Sequence, residues 1–321
     1  MSNTGFFCAV NIPSPIQKLE SDLLSEKQID LWVKRDDLIH ETISGNKWRK
    51  LKWNIEKAKN NKKSILLTFG GAFSNHIAAT AHACKQAGIK SIGVIRGERI
   101  EPLNPTLLKA QEDGMQLHFV SREDYGRKKD DDFVLGLRNK FGNFHLVPEG
   151  GANYYGVMGC MEILKEVDLN LDFIATSAGT GTTAAGLLMT AKANQQVLVF
   201  SGLKGGDFLS TDIKHLINYT TFSAEHTEEV LEHLSLNSDF HFGGFAKITP
   251  ELVSFANAFY TQFKIPLDLI YTAKLFFGLF DLIRKDKFNP NTKIMALHTG
   301  GLQGNSGFEK KLKKLGIQLN Y

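Results

Sequence analysis

SILLTFGGAFSNHIAATAHACKQAGIKSIGVIRG, residues 64–97, reads as a strand, a helix and a second strand. The apolar run 64–69 has the length of a buried strand, and Gly70 and Gly71 break it. The alanine-rich segment that follows has Ser74 in the N-cap position and Gly88 as a C-terminal stop. Strand, helix and strand in this order form a βαβ unit, which implies parallel pairing. The same grammar recurs on both sides. TLLKAQEDGMQLHFVS (106–121) gives a helix, a glycine stop and a strand, and NFHLVPEGGAN (143–153) adds one more strand. In the second half LDFIAT (171–176) is a strand, SAGTGTTAAG (177–186) a Gly-rich turn, LLMTAKANQQ (187–196) a helix and VLVFSGL (197–203) a strand. KIMALH (293–298) is a late strand that runs into Thr-Gly-Gly. The stretch 205–246 is less regular, and a helix is expected around 249–263.

The fold class is therefore α/β with two parallel-sheet regions. Ligands on such sheets bind beyond the carboxyl ends of strands. Three loops there stand out: GGAFSNH (70–76), SAGTGTT (177–183) and HTGG (298–301). With 321 residues and 42% hydrophobic content, the chain suits one large or two medium domains. Its 38 basic and 34 acidic side chains give a net charge of +4, which calls for a small anionic ligand as readily as for nucleic acid. No apolar run approaches the roughly 20 residues of a spanning helix. The opening residues MSNTGFFCAVNIPSP lack the pattern of a signal peptide. Cys8, Cys84 and Cys160 fit neither a metal spacing nor a disulfide framework, so a reducing, cytoplasmic setting is expected. His76 and His82 are six apart and miss the i, i+4 pairing of metal-binding helices, so no metal site is expected.

The chemistry starts at ISGNKWRKLKWN, 43–54. Trp48, Leu51, Ile55 and Ala58 recur at helical spacing, so a helix is expected to begin near Asn46, with Lys50, Lys52, Lys57 and Lys59 on its solvated face. Lys47 then lies in the first turn, where the helix dipole favours the neutral amine. A desolvated lysine of this kind forms a Schiff base with an aldehyde, whereas an ordinary first-turn lysine is simply solvated. In SAGTGTTAAG, Gly179 and Gly181 allow successive N–H groups to face one anion, and Thr180, Thr182 and Thr183 add hydroxyls. The same residues match a dinucleotide-binding glycine pattern, but the acidic ribose partner expected about 20 positions on is replaced by Ser201 and Gly202. Ser74, Asn75 and His76 open a helix directly after a strand. That is either plain N-capping or a carboxylate-binding helix start with an exposed hydroxyl.

Taken in order, SGNKWRKL, SNH, the Gly/Thr loop, YTAK (271–274) and HTGG resemble the pyridoxal-phosphate enzymes of the tryptophan-synthase-β fold, also called fold type II. Within that group the chain is similar to the D-cysteine desulfhydrase and 1-aminocyclopropane-1-carboxylate deaminase family. KRDDL (34–38) strengthens the match, which spans roughly 12–304. The resemblance implies a large cofactor-binding domain, 1–52 plus 160–321, with a small α/β domain, 53–159, inserted into it. It implies that Lys47 holds the cofactor and then moves protons. Asn75 would bond the cofactor's phenolic oxygen, Gly179, Thr180, Gly181, Thr182 and Thr183 would cradle its phosphate, and Thr299 would face its pyridine nitrogen. Ser74, Asn75, His76, Phe245 and Tyr271 would lie against the substrate, with Ser74 either near its carboxylate or a reactive hydroxyl, and Tyr271 a substrate-side aromatic and acid. A small amino acid is the implied substrate, and a homodimer the implied assembly; no nucleic-acid or membrane partner is expected.

The deaminases of this family tend to carry Glu after the tyrosine and Leu before the late Gly-Gly. Thr272 and Thr299 occupy those positions here, as in the D-cysteine type. Two residues depart from the family. Phe245 stands where a second active-site tyrosine is usual, and Ala273 replaces a glycine. The expectation is β-elimination from D-cysteine, with 1-aminocyclopropane-1-carboxylate deamination as the alternative. A nucleotide-dependent oxidoreductase and a non-catalytic cofactor or amino-acid binder are readings of another class.

Overall fold

The computed structural model describes residues 10–321, so Cys8 and the rest of 1–9 lie outside the described residues. Ten strands are described: β1 Ile16–Leu19, β2 Asp30–Lys34, β3 Ile65–Gly70, β4 Lys90–Arg96, β5 Met115–Val120, β6 His145–Val147, β7 Phe173–Ala178, β8 Gln196–Ser201, β9 Leu234–Asn237 and β10 Lys293–Leu297. They form a six-stranded sheet in the order β1-β2-β10-β7-β8-β9 and a four-stranded sheet in the order β5-β4-β3-β6. Only the β1–β2 pair is antiparallel. Central strands such as β7 (FIATSA) and β8 (QVLVFS) are buried on both faces, which is why they read as continuous apolar runs rather than alternating ones.

Both faces of the large sheet are covered. Helices Pro250–Phe263 and Thr272–Arg284 pack Phe259, Phe276 and Leu279 on one face. Helices Tyr154–Cys160, Thr182–Leu188 and Phe208–Thr221 pack Val157, Leu187 and Ile213 on the other. Helix Asn46–Asn60 begins where expected and buries Trp48, Leu51, Ile55 and Ala58 together with Leu66 of β3. Helix Asn75–Ala87 has Ser74 as its N-cap, whose Oγ accepts from Ile77 N, and a left-handed Gly88 at its end. Helix Pro250–Phe263 follows Thr249 as N-cap.

Three expectations need correction. Lys50 and Lys52 are not on a solvated face: they are 4% and 8% exposed. Lys52 is paired with Glu162 at 2.8 Å, and Lys50 points along the wall of the cleft described below. The helix expected over 187–196 instead occupies Thr182–Leu188. At its end the Thr190 hydroxyl donates to the Gly186 carbonyl at 2.9 Å and lies 3.3 Å from that of Leu187. The irregular stretch 205–246 contains helices Phe208–Thr221 and Ala224–Leu231 and the edge strand β9. Its apolar stripe, Leu209, Ile213 and Ile217, has helical spacing but is diluted by polar neighbours. Among the described residues, no helix is long and apolar enough to cross a membrane.

Candidate active site

The loops after β3, β7 and β10 meet in a cleft of about 2020 Å³ between the two sheets. Lys47 reaches this cleft from a helix held in place by buried charge. Arg49, two residues on, donates to both oxygens of Asp36 at 2.6 and 2.8 Å and to Glu166 at 2.8 and 3.0 Å. Lys34 donates to Glu166 at 2.7 Å, and Arg35 pairs with Asp37 at 2.7 Å. Thus the Lys-Arg-Asp-Asp run ties strand β2 to the helix behind Lys47. Gly45 completes the approach. It has φ +66, and a Cβ there would fall 1.9 Å from the Thr299 carbonyl oxygen, so the chain can pass only as glycine. Asn46 N donates to that same carbonyl at 3.2 Å.

Lys47 Nζ donates to Asn46 Oδ1 at 2.6 Å and has no ion pair among the described residues. Burial, reinforced by the charge of Lys50, lowers its pKa to about 7. Burial also lowers the pKa of Lys50, which lines the cleft too. Near neutral pH the neutral amine, the state a nucleophile or proton acceptor needs, is therefore within reach.

The Gly/Thr loop lies beside it. Gly181 adopts φ +73, and a Cβ there would sit 2.6 Å from Ile213 Cγ1. A Cβ on Gly179 would sit 2.8 Å from the Tyr271 hydroxyl. Thr180 and Thr182 share a hydroxyl contact of 3.1 Å, and Asn46 Nδ2 donates to Thr183 Oγ1 at 2.9 Å. Asn46 therefore links the Lys47 amine to the loop. No side chain caps helix Thr182–Leu188, and its first N–H groups lack intrahelical acceptors. The turn Glu149–Gly151, arriving from β6, closes over this region: a Cβ on Gly150 would lie 2.9 Å from Thr180 Cγ2 and one on Gly151 3.0 Å from Lys50 Cβ.

Ser74 lines the cleft as well, and its Oγ accepts from Ile77 N, so the N-cap reading of its hydroxyl is met. Asn75 Nδ2 donates to Gly301 O at 3.2 Å, whereas its Oδ1 is buried with no partner among the described residues. His76 is 2% exposed, and its Nε2 contacts Thr68 Oγ1 at 2.9 Å. Burial and the two lysines hold its pKa well below the usual histidine range, so it stays neutral. Thr299 Oγ1 lies 3.4 Å from Ser177 Oγ. Tyr271 precedes helix Thr272–Arg284 and is fixed by Asp268, whose carboxylate accepts from the backbone of Ile270, Tyr271 and Thr272 at 2.8–2.9 Å. Burial raises the Tyr271 pKa, so the phenol keeps its proton. Thr272 donates to Asp268 at 2.8 Å and is buried away from the cleft. Phe245 is half exposed, with its ring centroid 6.2 Å from that of Tyr271.

All twelve residues singled out from the sequence line this one cleft. Asn46, Lys50, Asp268 and the Glu149–Gly151 turn were missed. Lys50 had a signal, being one turn after Lys47, and so did Asp268, four residues before a threonine that opens a helix. Among the described residues, no group of three or more His, Cys, Asp or Glu side chains is arranged to hold a metal ion. Cys84 and Cys160 are free and buried.

An aldehyde bearing a phosphate fits what is present. There is an amine near its neutral point, a glycine loop with uncapped N–H groups and hydroxyls, a second cation in Lys50, and an amide at Asn75 with capacity to spare. Comparison with known proteins agrees. The family model described as "Pyridoxal-phosphate dependent enzyme" matches residues 10–300. A Pyrococcus horikoshii protein with a provisional assignment as 1-aminocyclopropane-1-carboxylate deaminase is 31% identical, over 94% of this chain and 93% of that protein. The bifunctional D-cysteine desulfhydrase/1-aminocyclopropane-1-carboxylate deaminase of Arabidopsis thaliana, a mitochondrial protein, is 28% identical, over 93% of this chain and 78% of its own. The crystal structure of an ACC deaminase homologue superposes with a TM-score of 0.80 at 28% identity, covering 96% and 95% of the two chains.

Proposed function

The chain belongs to the pyridoxal-phosphate-dependent enzyme family, and from that premise we propose that it is a lyase acting on a small amino acid, with D-cysteine the first candidate substrate. The overall reaction would convert D-cysteine and water to pyruvate, ammonia and hydrogen sulfide. Pyridoxal phosphate, when bound, supplies a conjugated ring that stabilises negative charge at the substrate Cα. The observation that carries the reading is Lys47. Its amine has a pKa of about 7 and is joined through Asn46 to Thr183 of the Gly/Thr loop.

In this reading Lys47 holds the cofactor, and its released amine accepts or returns the proton at Cα. Lys50 and residues 179–183 take the phosphate, where a cation and several N–H donors converge on an anion. Asn75 orients the ring through its amide. Thr299 offers the ring nitrogen a hydroxyl rather than a carboxylate, which leaves that nitrogen without a charged partner. Ser74 binds the substrate carboxylate at the start of helix Asn75–Ala87. Tyr271, protonated, is the proton donor on the substrate side. Phe245 supplies an apolar wall and no hydroxyl. The D-cysteine preference is supported by Thr272. It stands where the deaminases of this family tend to carry Glu. We also infer a homodimer from the family resemblance.

The test is an absorbance spectrum with product assay. The purified protein with pyridoxal phosphate is expected to absorb at about 420 nm, the signature of a lysine-bound cofactor. D-cysteine should then release pyruvate and sulfide, and 1-aminocyclopropane-1-carboxylate should give far less 2-oxobutyrate. The reverse preference would move the assignment to the deaminase. A band with no keto acid from any small amino acid would move it to a binder. Absence of the band would overturn the role given to Lys47.

A further inference from the structure

Phe245 belongs to the stretch 240–246, which has no regular secondary structure. Four of its residues, Phe242, Gly243, Gly244 and Ala246, have φ between 52 and 116. Two of these are not glycine, so the backbone is held where side chains oppose it. Its own bonds are few: Gly243 N donates to His241 Nδ1 at 2.8 Å and Gly244 N to His241 O at 3.0 Å. A loop of this kind needs support from outside.

Lys274 is the support. It is 1% exposed and lies on helix Thr272–Arg284, about one turn beyond Tyr271. Its Nζ donates to three backbone carbonyls: His241 and Gly244 at 2.9 Å each, and Gly202, just after β8, at 3.2 Å. It forms no ion pair among the described residues. An ammonium has three donors and no acceptor, so three carbonyls satisfy it completely. Each bond is charge-assisted and stronger than a neutral one. Burial lowers the Lys274 pKa only to about 8, so the group is charged at neutral pH. Gly202 leaves the space: a Cβ there would meet Ile270 O at 2.9 Å and Lys274 Cδ at 3.9 Å.

We propose that Lys274 is a positioning residue, a tethered cation whose carbonyl contacts dock the 240–246 loop onto the helix behind Tyr271 and so set the Phe245 wall that selects the substrate side chain. The specificity role rests on the proposed function; the docking role does not. Removal of the charge frees the loop without touching Lys47 or the Gly/Thr loop.

The experiment uses the cofactor-loaded protein and the Lys274→Met variant, which fills the same channel without charge. Amide hydrogen exchange in 202–206 and 240–246 is expected to quicken at least about tenfold, while helix Asn46–Asn60 and the cofactor band stay as in the parent. In Lys274→Ala, propylammonium, which replaces the missing atoms, is expected to restore protection; in Lys274→Met, whose channel is filled, it is not. KM for the amino acid should rise about tenfold with kcat within about threefold. Combined with Phe245→Ala, the KM effects should not multiply. Loop exchange within twofold of the parent, or KM effects that multiply, would overturn the proposal. Should Lys274→Met not fold, Lys274→Gln, uncharged with two N–H donors, carries the same test. Exchange is read without turnover, so failure of every amino acid as substrate would sink the proposed function and leave the docking role to be decided by exchange alone.

Discussion

Arg49 and Lys47 sit two residues apart on one helix, and both are largely removed from water, yet their surroundings treat charge in opposite ways. Burial disfavours the charged form of either. At Arg49 two carboxylates, Asp36 and Glu166, more than offset this and raise its pKa. At Lys47 no carboxylate among the described residues is in contact, and Lys50 adds to the effect of burial. The back of the helix is thus an anchor in which every charge is matched. Its front is a reactive edge where the match is withheld. Buried pairs of the first kind are costly to break from one side. Buried lysines of the second kind are costly to keep charged, which is what makes them nucleophiles.

The sharpest way to break this contrast is Lys47→Ala. It should abolish the band at about 420 nm and lower kcat/KM at least about 10³-fold, with the folded state intact by circular dichroism. Retention of the band would mean another lysine holds the cofactor. On the anchoring side, Asp36→Ala leaves the Arg49 guanidinium with half its partners and should cost about 3–5 kcal/mol in denaturant unfolding. A loss under about 1 kcal/mol would show that the buried network is not what secures the helix.

Lys50→Met probes the front edge from within. In the cofactor-free protein, Lys47 should react with an amine reagent along a curve with its midpoint near pH 7, because the neutral form reacts and its fraction grows as pH rises. Lys50 lowers that pKa, so its removal should move the midpoint to higher pH and, separately, weaken pyridoxal phosphate binding about tenfold. An unmoved midpoint would assign the whole shift to burial. The smallest effect is expected from Phe245→Tyr. The site is half exposed, so stability should change by no more than about 0.5 kcal/mol. A hydroxyl placed beside Tyr271 should alter kcat/KM only a few-fold, read from initial rates on D-cysteine and D-serine.

The parts of this molecule legible in the chain are those encoded within a few residues. Ser74 and Gly88 mark the ends of one helix, Thr249 the start of another, and the apolar period of Trp48, Leu51, Ile55 and Ala58 gives the lysine helix its buried face. Gly179 and Gly181 marked the Gly/Thr loop, where Gly181 has a positive φ and a Cβ on Gly179 would crowd the Tyr271 hydroxyl. Family motifs then gathered Lys47, Asn75, Tyr271 and Thr299 into one expected site, and these residues do line one cleft.

What stayed hidden depends on partners far away in sequence. Lys50 and Lys52 are spaced like surface lysines, and only the packing of other elements over the helix buries them. Arg49 meets Glu166 across 117 residues, and Lys274 meets Gly202 across 72. Helical period and capping are short-range signals, so the chain announced its elements and singled out Lys47. Charge pairing and desolvation are set by whatever folds against a group, so which cations are matched and which are left reactive was decided only when the two sheets came together.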